Sequence, residues 1–313
     1  MENPRRLFLN QVAGIAGIAA LNKPLASIAS VSKHINTIYS GDRSVTIYNT
    51  NDLHGKIDAG YNKAGGLQLI KKLLEDQDTS GLLVDAGDFL NSASNTSQHK
   101  EMIRTMNSMG YCAATPGNHE LALGQESLAA LISTMKFAMV NCNYQFDAVL
   151  GDLIKPYAIV HTGKFKVGIT GVGQPVKGII YKDAFACANQ IARVLKIQEN
   201  CDLVICLSHL GYKNEGNTPD NKKLARQSEH IDVIISGHNR KIMNAPMVIL
   251  NKQKEEVMLS QAGWDGMMMG KMVFNFESKQ KSGIRAKHFL TDNPPGDEFA
   301  ASVRALRAKE KAA

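Results

Sequence analysis

A layered α/β domain is the fold class this sequence predicts, from three observations: short unbroken apolar runs, helical-period segments between them, and a strand-rich end. Val45–Tyr48 is the first β-rich run. Gly66–Leu74 then sets Leu67, Ile70 and Leu74 at helical spacing. Leu82-Leu83-Val84 is apolar without alternation, as expected of a strand covered on both faces. Helices are predicted over Lys100–Met109 and Gln125–Met135, and a strand over Phe137–Val140. Tyr157–Val160 and Phe165–Thr170 flank Thr162-Gly163-Lys164, which predicts a hairpin. A helix over Ala188–Gln198 precedes two more buried strands, Leu203–Leu207 and Ile231–Ile235. Met247–Leu250, Val257–Ser260, Lys271–Phe276 and Ile284–Phe289 alternate with polar turns and add an antiparallel part, and a helix is predicted after Gly296.

The chain has 313 residues, 44% hydrophobic and 21% charged, enough for one large domain or two small ones. Its formal charge of +7 is diffuse, and much of the excess sits at the two ends. With only 6% aromatics and no basic stripe interleaved with them, a nucleic-acid partner is not expected. At the N-terminus, Arg5-Arg6 precedes Leu7-Phe8-Leu9 and a small-residue apolar run, Val12–Leu21. That run falls well short of the roughly 20 residues a membrane span needs. Ser27-Ile28-Ala29 has the small-x-small pattern of a cleavage site. Residues 1–29 therefore resemble a twin-arginine export signal, which implies a periplasmic protein with no membrane span after processing. The five cysteines are odd in number and form no CxxC pair, so they read as small core residues and not as a disulfide framework. Folding before export would reconcile free thiols with an oxidising destination.

Metal-capable residues recur just after the predicted strands. They are Asp52 and His54 in Asn51-Asp52-Leu53-His54-Gly55, Asp88 in Asp85-Ala86-Gly87-Asp88, and Asn118 and His119 in Gly117-Asn118-His119-Glu120. His209 follows Leu203–Leu207, and His238 follows Ile231–Ile235. Ligands of open α/β sheets bind beyond the carboxyl ends of the strands, so these five loops can converge. Asp and His suit divalent first-row metals, and an Asp can bridge two ions. Two such ions about 3.5–4 Å apart can bind a phosphoryl group and lower the pKa of a water between them. Asn51 and Asp85, next to these residues, are expected to orient them.

The order D-x-H, G-D, G-N-H-E, H and G-H resembles the calcineurin-like metallophosphoesterases. Thr50-Asn51-Asp52-Leu53-His54-Gly55, Gln261-Ala262-Gly263-Trp264 and Met269-Gly270 are similar to the 5′-nucleotidase branch of that superfamily. The resemblance covers about residues 44–290 and implies two mixed sheets flanked by helices. It implies two divalent ions (Zn, Mn, Fe or similar), the first on Asp52, His54 and Asp88. The second would lie on Asp88, Asn118, His209 and His238. Asn118 would also touch the substrate, a phosphate ester, with nucleotides among the candidates. His119 is the implied catalytic residue, stabilising charge on the phosphoryl group or leaving oxygen, and the implied nucleophile is a hydroxide on the metal.

The sequence departs from that pattern in three places. Where the family has His or Gln after G-H-x, this chain has Arg240, a permanent cation with no acceptor. The first metal site is then expected to be impaired, with Arg240 either holding a substrate phosphate or serving as an ion-pair partner. Where the family commonly has an Asp that orients the catalytic histidine, this chain has Ala122, which predicts a gain in turnover from Ala122→Asp. Glu120 is adjacent but expected to point elsewhere. Third, only the short tail 291–313, read as helical, follows the last strand, so no C-terminal nucleoside-binding domain is expected unless a separate polypeptide supplies one. Two other readings remain open at this point. One is a catalytically weakened domain of the same fold that binds a phosphorylated ligand or a protein, and the other a hydrolase of sulfur esters.

Overall fold

The computed structural model of the chain describes residues 43–60 and 64–291. The export signal read over residues 1–29 and the tail read over 291–313, apart from Thr291, lie outside these residues.

Two mixed sheets pack face to face. In the first, β1 (Ser44–Thr50), β2 (Leu82–Asp85), β3 (Tyr111–Ala114), β4 (Ala138–Val140) and β6 (Ile154–Lys155) run parallel in that spatial order. Two long antiparallel strands, β14 (Met268–Glu277) and β15 (Gln280–Leu290), extend it beyond β1. The second sheet has a parallel centre of β8 (Phe165–Gly173), β10 (Leu203–His209), β11 (Val233–Ser236) and β13 (Glu256–Ser260). Antiparallel β7 (Tyr157–Thr162) and β12 (Met247–Leu250) form its two edges. A small ribbon joins β5 (Tyr144–Gln145) to β9 (Ile180–Tyr181).

The apolar runs explain the layering. Leu203, Ile205 and Leu207 of β10 point into the space between the sheets, with Val167, Ile169, Val233 and Ile235 beside them and Val45, Ile47, Leu82 and Val84 opposite. Val204 and Cys206 point the other way, under α6 (Ala184–Arg193) and α7 (Asn221–Gln227). A strand with helices on one face and a second sheet on the other has no wet side, so its sequence shows no alternation. On the outer face of the first sheet, Tyr48, Leu83 and Met139 pack against α1 (Leu67–Glu75), α2 (Thr96–Met109) and α4 (Gln125–Ile132). The order of layers is helix, sheet, sheet, helix.

Element ends differ from the sequence prediction where local chemistry was hard to read. α2 begins at Thr96, four residues before its predicted start, because Asn95 and Gln98 cap its first turn reciprocally at 3.0 Å. α6 begins at Ala184 behind the capping Asp183, and residues 194–198 continue it as a π-helical turn. α5 (Ala148–Leu153) and α7 were not predicted; each is short and buries few side chains, so neither has a long apolar period. All five cysteines are free, with Cys112, Cys201 and Cys206 buried, as expected of core residues.

Candidate metal centre

The carboxyl ends of β1, β2, β3, β10 and β11 meet at one edge where the two sheets face each other. Backbone bonds stitch the loops together there. Asp52 N–H donates to Gly87 O at 3.0 Å, His54 N–H to Asp88 O at 2.8 Å, and Gly237 N–H to Ser208 O at 2.9 Å. Asp52, His54, Asp88, His238 and Arg240 all have φ between 47° and 87°. Such backbone costs of order 1 kcal/mol or more per residue for non-glycine residues and concentrates at functional sites.

Four predicted ligands form one cage. Asp88 Oδ2 lies 3.1 Å from His209 Nε2, Asn118 Oδ1 lies 3.2 Å from the same nitrogen, and His238 Nδ1 lies 3.0 Å from Asn118 Oδ1. Ligands about 2.0–2.1 Å from a tetrahedral ion would stand roughly 3.3 Å apart, close to these separations. His209 Nδ1 faces the Ala86 carbonyl at 2.8 Å and must carry the hydrogen of that bond. In a neutral His209 the Nε2 lone pair then points at the acceptor oxygens of Asp88 and Asn118. Three acceptors facing one another in a buried place require a cation, so the donor set fits a divalent ion. Two glycines make room for the ring: a Cβ on Gly87 or Gly237 would stand 2.9 or 2.8 Å from His209 Nδ1.

Without a metal, a proton supplies the positive charge. Burial lowers the His209 pKa, but the charge of Asp88 and its hydrogen bond, with Asp52 behind, outweigh burial and raise it to about 10. Burial raises the Asp88 pKa, and His209 more than reverses that, to about 2. The signs fix a window. The Asp88 contribution to stability is present above its ordinary 3.8 and is lost as pH falls toward about 2. The His209 contribution is complete below its ordinary 6.5 and is lost as pH rises through about 10. A metal must displace the His209 proton. Its affinity is expected to rise about tenfold per pH unit between roughly pH 7 and pH 9, with one proton released per ion, measurable by competition titration.

The first site is arranged differently. One side-chain ligand atom from each of His54, Asp88 and His119 lies within 4.8 Å of the others. The predicted partner Asp52 is fully buried beside them, but its oxygens accept the His238 N–H at 2.9 and 3.1 Å and Asn51 Nδ2 at 2.8 Å. Asp52 thus ties the β1 loop to the β11 loop. Asn51 orients it as expected, and also spans to Gly263 O and Ala262 N–H at 2.6 and 2.7 Å. Asp85 accepts from Thr50 Oγ1 at 2.7 Å and Gly87 N–H at 2.8 Å and shapes the β2 loop; burial pushes its pKa up to about 7. Arg240 is exposed and has no ion pair among the described residues, so the ion-pair reading is not what the structure displays.

Three participants were not singled out as partners of the site in the sequence. Asp265 Oδ1 lies 2.7 Å from His54 Nδ1, leaving Nε2 of His54 to face the site. Glu120 does point away from the centre, and its carboxylate accepts the N–H groups of Asp88, Leu90 and Gly117 at 2.7–2.9 Å. Ser92 contacts His119 Nδ1 through its N–H at 3.2 Å and its Oγ at 3.1 Å. Glu120 closes the G-N-H-E motif, but Asp265 and Ser92 belong to none of the quoted ligand motifs, and no spacing in the sequence would have brought those two to their partners.

Comparisons with known proteins agree with this geometry. Residues 45–239 match the family model described as calcineurin-like phosphoesterase. The 5′-nucleotidase of Vibrio cholerae is 28% identical in an alignment of 243 positions that covers 69% of this chain and 44% of that protein. A trifunctional nucleotide phosphoesterase of Bacillus subtilis is 23% identical in an alignment of 278 positions that covers 75% of this chain and 18% of that protein. This chain thus spans less than half the length of either relative. Among solved structures, a 5′-nucleotidase precursor of Thermus thermophilus superposes with a TM-score of 0.70 at 23% identity, over 85% of this chain and 59% of that one. The matched segment holds more than half of the residues and all the loops that meet at the cage, and the chain belongs to the calcineurin-like phosphoesterase family.

Proposed function

We propose that this chain is an exported, metal-dependent hydrolase of phosphate monoesters, nucleotides among them, with one well-formed metal site and one altered site. The observation that carries the reading is the buried cage in which Asp88, Asn118 and His209 turn acceptors toward one another. Divalent ions held there would supply Lewis acidity toward phosphoryl oxygens and a water of lowered pKa. Asp88, Asn118, His209 and His238 would hold the second ion; His54 and Asp88, with Asp52 behind them, would hold the first. Asp265 would fix the His54 ring. His119 would act on the phosphoryl or leaving oxygen, and Asn118 and Arg240 would bind the phosphate. An exposed arginine with no partner among the described residues suits an anion better than a cation. Export rests on residues 1–29. Among the described residues, no helix is long and apolar enough to cross a membrane.

The test is to count metals in the purified protein and assay p-nitrophenyl phosphate and AMP with added Mn²⁺ or Zn²⁺. Fewer than two ions per chain and measurable turnover are expected. Arg240→His is expected to raise both. Full occupancy before the substitution, with no gain after it, would contradict this account of Arg240. A second reading, a weakened domain that binds a phosphorylated ligand, is favoured by Arg240 itself. Metal binding and phosphate binding without turnover on either ester would select it.

A further inference from the structure

His119 has lost the carboxylate that the family pattern places three residues after it, yet its ring is not loose. Ser92 N–H points at Nδ1 from 3.2 Å, and Ser92 Oγ lies 3.1 Å from the same atom. A backbone N–H can only donate, so Nδ1 must accept. A neutral imidazole that accepts at Nδ1 carries its hydrogen on Nε2. We propose that Ser92 is the positioning residue for His119, holding Nδ1 as an acceptor and presenting Nε2–H to the site. The inference rests on the phosphoesterase reading only for what His119 then does; the tautomer itself does not depend on it.

The surroundings hold the pair rigid. Ser92 belongs to a turn in which Ser94 N–H donates to Asn91 O at 2.9 Å and Ala93 N–H to Asn91 Oδ1 at 3.0 Å. The buried His99 reaches the same Asn91 carbonyl at 2.8 Å, and the capped start of α2 follows at once. On the other side, His119 and Glu120 share the short helix α3 (Asn118–Leu121), and Glu120 grips the N–H groups of Asp88 and Leu90. His119 N–H donates to Asp88 Oδ1 at 2.7 Å. Donor and acceptor are thus fixed to one another through Glu120 and Asp88 rather than left to meet by chance.

The assignment separates two roles for the cluster of His54, Asp88 and His119. An Nε2–H has no lone pair for a cation but can donate to an anionic oxygen. His119 is therefore a donor toward substrate and not a third ligand of the first ion. The same reasoning revises the expectation for Ala122→Asp. A carboxylate reaching Nδ1 would demand a hydrogen on that atom, which the Ser92 N–H opposes, so no gain in turnover is expected while Ser92 is present.

The direct test is nitrogen NMR of the histidine rings in the metal-free full chain, with His119 assigned by comparison with His119→Gln. The Nε2–H tautomer is expected, and an Nδ1–H tautomer would overturn the proposal whatever the activity. In the metal-loaded protein, Ser92→Ala keeps the backbone N–H and removes only the Oγ contact, so the Nε2–H tautomer is expected to persist while kcat falls about two- to threefold, with KM within about twofold and an unchanged melting temperature. Ser92→Thr is expected to restore it. An Nδ1–H tautomer in Ser92→Ala, or a loss of kcat that follows melting temperature, would also overturn the positioning role. If the chain hydrolyses neither ester, the function fails while the tautomer result stands by itself.

Discussion

Asp88→Asn is expected to remove the ion held by His209 and lower turnover by about 10³-fold or more, while leaving the fold intact. Asp88 belongs to both candidate clusters, so one substitution takes a charge from each. The asparagine carbonyl can still accept the His119 N–H that Asp88 Oδ1 accepts now, at 2.7 Å. Its amide would donate to His209 Nε2, where Asp88 Oδ2 now stands 3.1 Å away. That hydrogen bond satisfies the cage with no metal, which is why metal is lost without unfolding. Metal analysis, steady-state kinetics and a thermal melt of the variant check all three parts. A metal content equal to that of the unsubstituted protein, with turnover within tenfold of the original, would refute the bridging role.

Glu120→Ala is expected to be the most destabilising single change near the site. Glu120 is fully buried, and its two oxygens accept three backbone N–H groups, from Asp88, Leu90 and Gly117. Removing the carboxylate strands three buried donors at about 1–3 kcal/mol each, on the order of 3–9 kcal/mol in all. For a domain of this size that corresponds to a fall of roughly 10 °C or more in melting temperature. Glu120→Gln keeps one good acceptor and is expected to fall between the two. Because these N–H groups fix the loop that carries Asp88, metal affinity should drop along with stability. A melting temperature unchanged in Glu120→Ala would show that water replaces the carboxylate at no cost.

The contrast between Glu120 and Asp265 shows what could be read from residues alone. The strands were legible because double burial strips polar residues from Leu203–Leu207 and Leu82–Val84, and the ligand loops were legible because they follow those strands. Asn118, His209 and His238 were therefore identifiable before any coordinates, and the structure brings them together with Asp88. Glu120 was read as pointing elsewhere, and it does. Asp265 and Ser92 were silent: an aspartate in a Gly-rich loop and a serine in a polar turn have no periodicity. Their partners are 211 and 27 residues away in sequence. Arg240 was legible as a departure, but only the coordinates show that it stands exposed with no ion pair among the described residues.

The position of β1 has a consequence for how the polypeptide is made. This first strand is internal, paired to β2 on one side and, antiparallel from Ser44↔Asn275 to Asn49↔Gly270, to β14 on the other. A ribosome therefore delivers β1 long before its second neighbour exists. Until β14 emerges, β1 offers an open edge, with Val45 and Ile47 among the groups that will later be covered. The Asn51 and His54 anchors at Ala262, Gly263 and Asp265 arrive equally late. Closure of the sheet and completion of the ion cage's surroundings thus wait for β14, and nascent chains stalled before it should need chaperone protection.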